Sequence, residues 1–138
     1  MPDVWDPMQN QDVRVADIKK QTAPASYATA GPQTYTAADV LGGIIVRDPN
    51  GGNRTDTLPT AALLVAAIAK PRPGDTIDCL IVNGADAAET ITVQAGTGGG
   101  FDANQTAASR VIGQNASKLL RIRLTVVAAG SEAYVVYA

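Results

Sequence analysis

The chain has 138 residues and a net charge of −2 from 11 basic and 13 acidic side chains, with no histidine and one cysteine, Cys79. That length fits one domain with a core of its own plus an appendage, and is too short for two ordinary domains. The scattered charge leaves no footprint for duplex nucleic acid or an anionic membrane, a single thiol closes no intrachain disulfide, and the lack of histidine removes the commonest general base and metal ligand.

The opening, Met1-Pro2-Asp3-Val4-Trp5-Asp6, is polar and acidic rather than basic and then apolar, so no secretory signal is expected. The longest apolar run, Ala61 to Ala69, falls well short of the ~20 residues of a membrane span, and a soluble protein is expected. Residues 1–32 show no sustained period and carry Pro2, Pro7, Pro24 and Pro32; only Asp12 to Lys20, with Val13, Val15 and Ile18 loosely on one side, suggests a helical turn. Trp5, Tyr27 and Tyr35 supply half of the six aromatic residues, whereas a solvated tail is normally poor in them. An extended N-terminal arm over residues 1–32 is therefore expected. Its anchors would be Trp5, Tyr27 and Tyr35, seated in pockets of another subunit.

Thr36 to Leu41 has the form of one capped helical turn stopped by Gly42. Ile44-Ile45-Val46 is a strand ending near Asp48, and Asp48-Pro49-Asn50-Gly51 is a turn after which Arg54 to Leu58 can pair back as a short strand. Pro59 and Thr60 open a helix over Ala61 to Ile68 with an apolar face of Leu63, Leu64, Val65 and Ile68, and Lys70-Pro71-Arg72-Pro73-Gly74 stops it. From there only strands are expected: Thr76 to Asn83, then Glu89 to Ala95 with Ile91, Val93 and Ala95 on one face. Ala95 to Phe101 is read as a flexible glycine-rich loop and Arg110 to Ile112 as a short strand. Lys118 to Val127 places Leu120, Ile122, Leu124 and Val126 inward with Arg121 and Arg123 on the solvated face, and Ala133 to Tyr137 returns beside it as a hairpin. The expected fold is all-β, a β-sandwich or jelly-roll-like barrel over residues 33–138, with one short helix and the arm.

Chemistry is sparse. Cys79 lies in an apolar strand, where a thiol behaves as a small inert hydrophobe. Gly96-Thr97-Gly98-Gly99-Gly100-Phe101 has Phe101 where a dinucleotide fingerprint needs its third glycine and opens no helix. Asp48 to Asp56 is oxygen-rich but out of register with an EF-hand and lacks its closing glutamate, so it reads as a turn rather than a calcium loop. Asp48 with Asp56, or Asp75 with Asp78, could pair as in a glycosidase, yet nothing places a substrate between them and such acids usually form turns and caps. The Asn-x-Ser/Thr triplets at Asn53, Asn104 and Asn115 are chance without a secretory signal. No catalytic, cofactor or metal site is expected.

Several phrases do resemble a known family: Thr34-Tyr35-Thr36-Ala37-Ala38-Asp39-Val40-Leu41-Gly42-Gly43, Arg47-Asp48-Pro49, Arg54-Thr55-Asp56-Thr57-Leu58-Pro59-Thr60-Ala61, Gly74-Asp75, Ile81-Val82-Asn83, Thr92-Val93-Gln94-Ala95-Gly96-Thr97-Gly98 and Gly130-Ser131-Glu132-Ala133-Tyr134. Over Thr34 to Ala138 the chain is similar to the decoration, or cement, proteins of tailed-bacteriophage capsids and related head proteins. The resemblance implies a sandwich-like body, a homotrimer on the capsid lattice and an arm that reaches a neighbour. Its implied partner is the phage major capsid protein, at the outer surface of the head after synthesis in the host cytoplasm, with neither nucleic acid nor membrane bound. A binding module, such as a fibre tip or carbohydrate-binding sandwich, is the alternative; it would need exposed aromatics on the body, where only Phe101, Tyr134 and Tyr137 lie.

Overall fold

Alternation of apolar and polar side chains fixes the centre of the structure, a computed structural model that describes residues 23–138. Among the described residues nine strands form two sheets: β1 Ala25–Tyr27, β2 Ile44–Arg47, β3 Arg54–Thr57, β4 Thr76–Asn83, β5 Ile91–Gln94, β6 Gly99–Phe101, β7 Val111–Ile112, β8 Ser117–Val126 and β9 Ala133–Tyr137. The six-stranded sheet runs β1-β2-β4-β8-β9-β6 and the three-stranded sheet β3-β5-β7. One core cluster takes Ile45, Ile77, Cys79, Ile81, Leu120, Ile122, Leu124, Tyr134 and Val136 from the first sheet, and Ile91, Val93 and Ile112 from the second. Every one of these sits at an alternate position of its strand, as a pleat buried on one face requires.

Among the described residues two six-residue helices accompany the sheets where the expected fold counted one, α1 Ala37–Gly42, at the capped turn read over Thr36 to Leu41, and α2 Ala61–Ala66. Thr36 and Asp39 close a capping box, the Thr36 hydroxyl accepting from Asp39 N at 3.1 Å and the Asp39 carboxylate from Thr36 N at 2.9 Å. Gly43 ends α1 at φ 95°, a left-handed conformation that costs glycine little. Thr60 caps α2, which buries Ala61, Leu64 and Val65 and leaves Leu63 outside.

Of the two hairpins expected, β8 and β9 form one and β2 and β3 do not, and the sheets are mixed. β2 runs parallel to both β1 and β4, β3 parallel to β5, and β6 parallel to β9, whereas β4 with β8 and β8 with β9 are antiparallel. Arg54 to Thr57 does not pair back on Ile44 to Arg47. Instead the turn at Asn50 and Gly51, both at positive φ, carries the chain into the other sheet, and residues 48–75 become the long crossover that a parallel β2–β4 pair needs.

Gly99 to Phe101, expected as loop, is the edge strand β6. A β-carbon at Gly99 would lie 2.2 Å from the Tyr134 ring, so only glycine lets the strand lie against it. Val126, expected inward, is 37% exposed because a register shift between Leu124 and Val126 takes it off the core face. The arm boundary at residue 32 falls too late, since residues 25–27 already form a strand of the large sheet.

Tyr134 also joins the layers chemically: its buried hydroxyl donates to Pro59 O and accepts from Gly96 N, both at 2.9 Å, and burial pushes its pKa up. Tyr134→Phe should cost about 1–3 kcal/mol by leaving both backbone groups unpaired. Gly99→Ala should cost about 1–3 kcal/mol by overpacking the ring. Urea midpoints read both, and a neutral Gly99→Ala would show that the ring is not held as described.

Candidate functional site

The candidate site is the place where the N-terminal segment joins the body. Arg47 follows Ile45 by two residues on β2 and therefore points into the core, where it is fully buried. A buried guanidinium requires a counter-charge and acceptors for its five N–H groups. Asp56, from the facing strand β3 and equally buried, supplies the charge, with Arg47 Nε donating to Oδ2 at 2.7 Å. Arg47 Nη1 donates to Thr29 O at 2.9 Å and Asp48 O at 2.5 Å, and Nη2 to Gly31 O at 2.6 Å, with Asp56 Oδ1 a long contact at 3.5 Å.

Asp56 is satisfied in turn. Its Oδ1 accepts from Gln33 N at 2.9 Å and its Oδ2 from the Tyr35 hydroxyl at 2.7 Å. Beyond the carboxylate, Tyr35 N donates to Thr57 O and Thr57 N to Gln33 O, so residues 33–35 line the free edge of β3. One ion pair thus clamps residues 29–35 from both sides.

Tyr35, expected as an anchor in another subunit, is 1% exposed within its own chain, and its aromatic surface is used there. Burial, followed by the hydrogen bond to Asp56, drives its pKa far above the usual phenol value. Tyr27 is half-buried in β1, its ring centroid 5.9 Å from that of Tyr35, and its hydroxyl donates to Asp39 Oδ2 at 2.5 Å. Both tyrosines therefore pin the segment to its own body. Trp5 lies outside the described residues.

Sequence reading missed Arg47 and the role of Asp56. The signal was the shared parity of Ile45 and Arg47 on an alternating strand, which places a cation inward and demands a buried anion nearby. The other acids do not gather: Asp48 Oδ1 accepts from Asn50 N, Asp75 Oδ2 from Arg72 N, and Asp78 pairs with Arg121 at 2.9 Å on the surface. Among the described residues no group of three His, Cys, Asp or Glu could hold a metal ion, and no helix is long and apolar enough to cross a membrane. Of the body aromatics, Tyr134 is buried, Phe101 lies half-buried with the Arg110 guanidinium 4.4 Å from its ring centroid, and Tyr137 is exposed.

We found no family profile, curated protein or solved structure that matches the chain.

Asp56→Ala strands a buried guanidinium and should cost about 3–5 kcal/mol, read from the denaturant midpoint. Replacing both Arg47 and Asp56 by apolar residues should cost less than the sum of the two single changes; additive losses would mean that the pair is not coupled. A chain begun at residue 33 removes the Thr29 and Gly31 acceptors and should unfold at lower denaturant than the full chain. The hydrogen bond to Asp39, then burial, pushes Tyr27 from 10.0 up to about 12. A raised folded pKa means that the contribution is whole below about pH 10 and is lost as pH climbs towards 12, because the unfolded chain releases the proton first. Tyr27→Phe should flatten that alkaline limb of the stability curve.

Proposed function

We propose that this chain is a structural protein of a phage virion, a capsid decoration protein that binds the outer surface of the head and bridges neighbouring major capsid subunits. Within this reading the two sheets are the layers of a sandwich-like body and the copies assemble as a homotrimer on the lattice. The observation that carries it is the Arg47–Asp56 clamp, because the buried ion pair of the described body is committed to holding the root of the N-terminal segment. A root fixed this firmly transmits load from the segment into both sheets. Many copies repeated around a shell convert modest individual affinities into strong attachment. The turn phrases that resemble those of phage head proteins supply the particular setting. A sugar-binding module is less well supported, since of Phe101, Tyr134 and Tyr137 only Tyr137 is exposed for stacking.

The purified protein should co-sediment with empty capsids and raise the temperature at which they disrupt. Decorated and bare particles that withstand heat and low salt equally would sink the stabilising role. Trp5→Ala should weaken attachment by about 2 kcal/mol or more if the indole is a buried anchor on the shell. Light scattering giving a strict monomer would remove the preformed trimer and leave the rest.

A further inference from the structure

The outer face of the six-stranded sheet is divided. Register places Ile44, Leu80 and Leu119 in one row across β2, β4 and β8, with Val46 and Val82 in the next row. Ile44 is 40% and Leu119 48% exposed, and the other three are half-buried, so five apolar side chains form one contiguous corner. Beyond Leu80 and Leu119 the β4 and β8 part of the face turns polar, with the Asp78–Arg121 pair and then Thr76 opposite Arg123, before Tyr137 and Val135 of β9 continue the same rows at the far side of the sheet. Of the other exposed large hydrophobics among the described residues, Leu63 and Val111 lie on other elements, Val126 lies at the far end of β8 past the register shift, and Tyr137 lies on β9 opposite Arg121.

The corner lies beside the point where the N-terminal segment meets the sheet. Ala25 pairs with Ile45, so the chain before Ala25 leaves β1 level with the Ile44–Leu80–Leu119 row. From β1 to β8 is three strand spacings, about 14 Å, and the five residue steps from Lys20 to Ala25 span up to about 16 Å. Ile18, Val15 and Val13 are therefore within reach of the whole row, and they are the large apolar residues of that stretch. Attachment through the clamp at residues 29–35 adds an effective concentration in the millimolar range, which favours the chain's own segment over a free second copy.

We infer that residues 13–18 dock on the apolar corner of their own sheet formed by Ile44, Val46, Leu80, Val82 and Leu119. The inference stands apart from the virion reading. It shortens the part of the arm available to a partner to roughly the first twelve residues, which include Trp5.

The test is disulfide trapping in the full-length chain, pairing Val13→Cys, Val15→Cys or Ile18→Cys in turn with Leu119→Cys under mild oxidation at low protein concentration. Buried Cys79 does not compete. At least one pair should close rapidly at monomer mass, and Leu80→Asp should slow that closure several-fold. A disulfide found only at dimer mass would mean that a second copy supplies the segment and would overturn docking within one chain. No closure from any of the three positions, with circular dichroism showing a folded body, would overturn it as well. As a second readout, Val13→Asp/Val15→Asp/Ile18→Asp should raise the fluorescence of an apolar dye several-fold; an unchanged signal counts against the site. Capsid co-sedimentation is independent of all these outcomes, so loss of one reading leaves the other standing.

Discussion

The buried pair of Arg47 and Asp56 is the constraint on which the arrangement of the chain depends. Neither charge can be taken from water alone, and neither residue lies on the same sheet as the other, so satisfying one fixes the position of β2 against β3. Three donors of the guanidinium then reach carbonyls of Thr29, Gly31 and Asp48, and the carboxylate reaches Gln33 and Tyr35. A pair of apolar residues could fill the same volume and could even be more stable. It could not hold a strap of backbone, because only directional donors and acceptors fix carbonyl and amide groups in place.

Two further buried polar side chains do similar work at other points between the sheets. Asn83, at the end of β4, donates to Glu89 O at 2.9 Å and to Ile112 O of β7 at 3.0 Å, and accepts from Ala85 N. Tyr134, in β9, joins Pro59 and Gly96. Arg47, Asn83 and Tyr134 thus bridge from three different strands of the large sheet towards the loops and strands of the small one. The apolar cluster between them supplies cohesion without direction, at roughly 25 cal/mol per Å² removed from water, and the three polar ties set which parts of the two sheets face one another.

What the sequence made legible follows the same division. Thr76 to Asn83 and the core positions Leu120, Ile122 and Leu124 could be read because period-2 alternation depends only on neighbours along the chain. Parallel pairing could not, since it is decided by the crossover through residues 48–75 and by contacts far apart in sequence. β6 was invisible because Gly99 and Gly100 carry no side-chain pattern; the Tyr134 ring, more than thirty residues away, is what requires them. Arg47 carries a signal too, its shared parity with Ile45, but the strand read as Ile44-Ile45-Val46 stops short of it. The aromatics of the expected arm stand out by type, but type does not name the surface, and Tyr27 and Tyr35 pack on their own body.

The outer face carries the remaining constraint. An edge strand such as β1, only three residues long, offers little backbone for unwanted strand addition, and Pro24 before it has no N–H to extend the ladder. Apolar side chains around the corner of such an edge would still invite association, whereas the Asp78–Arg121 pair and Arg123 keep the other half of the face hydrated. The charged rows separate this corner from Tyr137 on β9, and the corner adjoins the strand by which the N-terminal segment enters, so a covering segment there gains from burial. Because the clamp holds residues 29–35 fixed, the entropy lost on docking is that of the few linking residues and of the docked stretch itself, not that of bringing two molecules together. A rigid root and an apolar corner beside it are in this sense one device: the first lowers the cost of occupying the second.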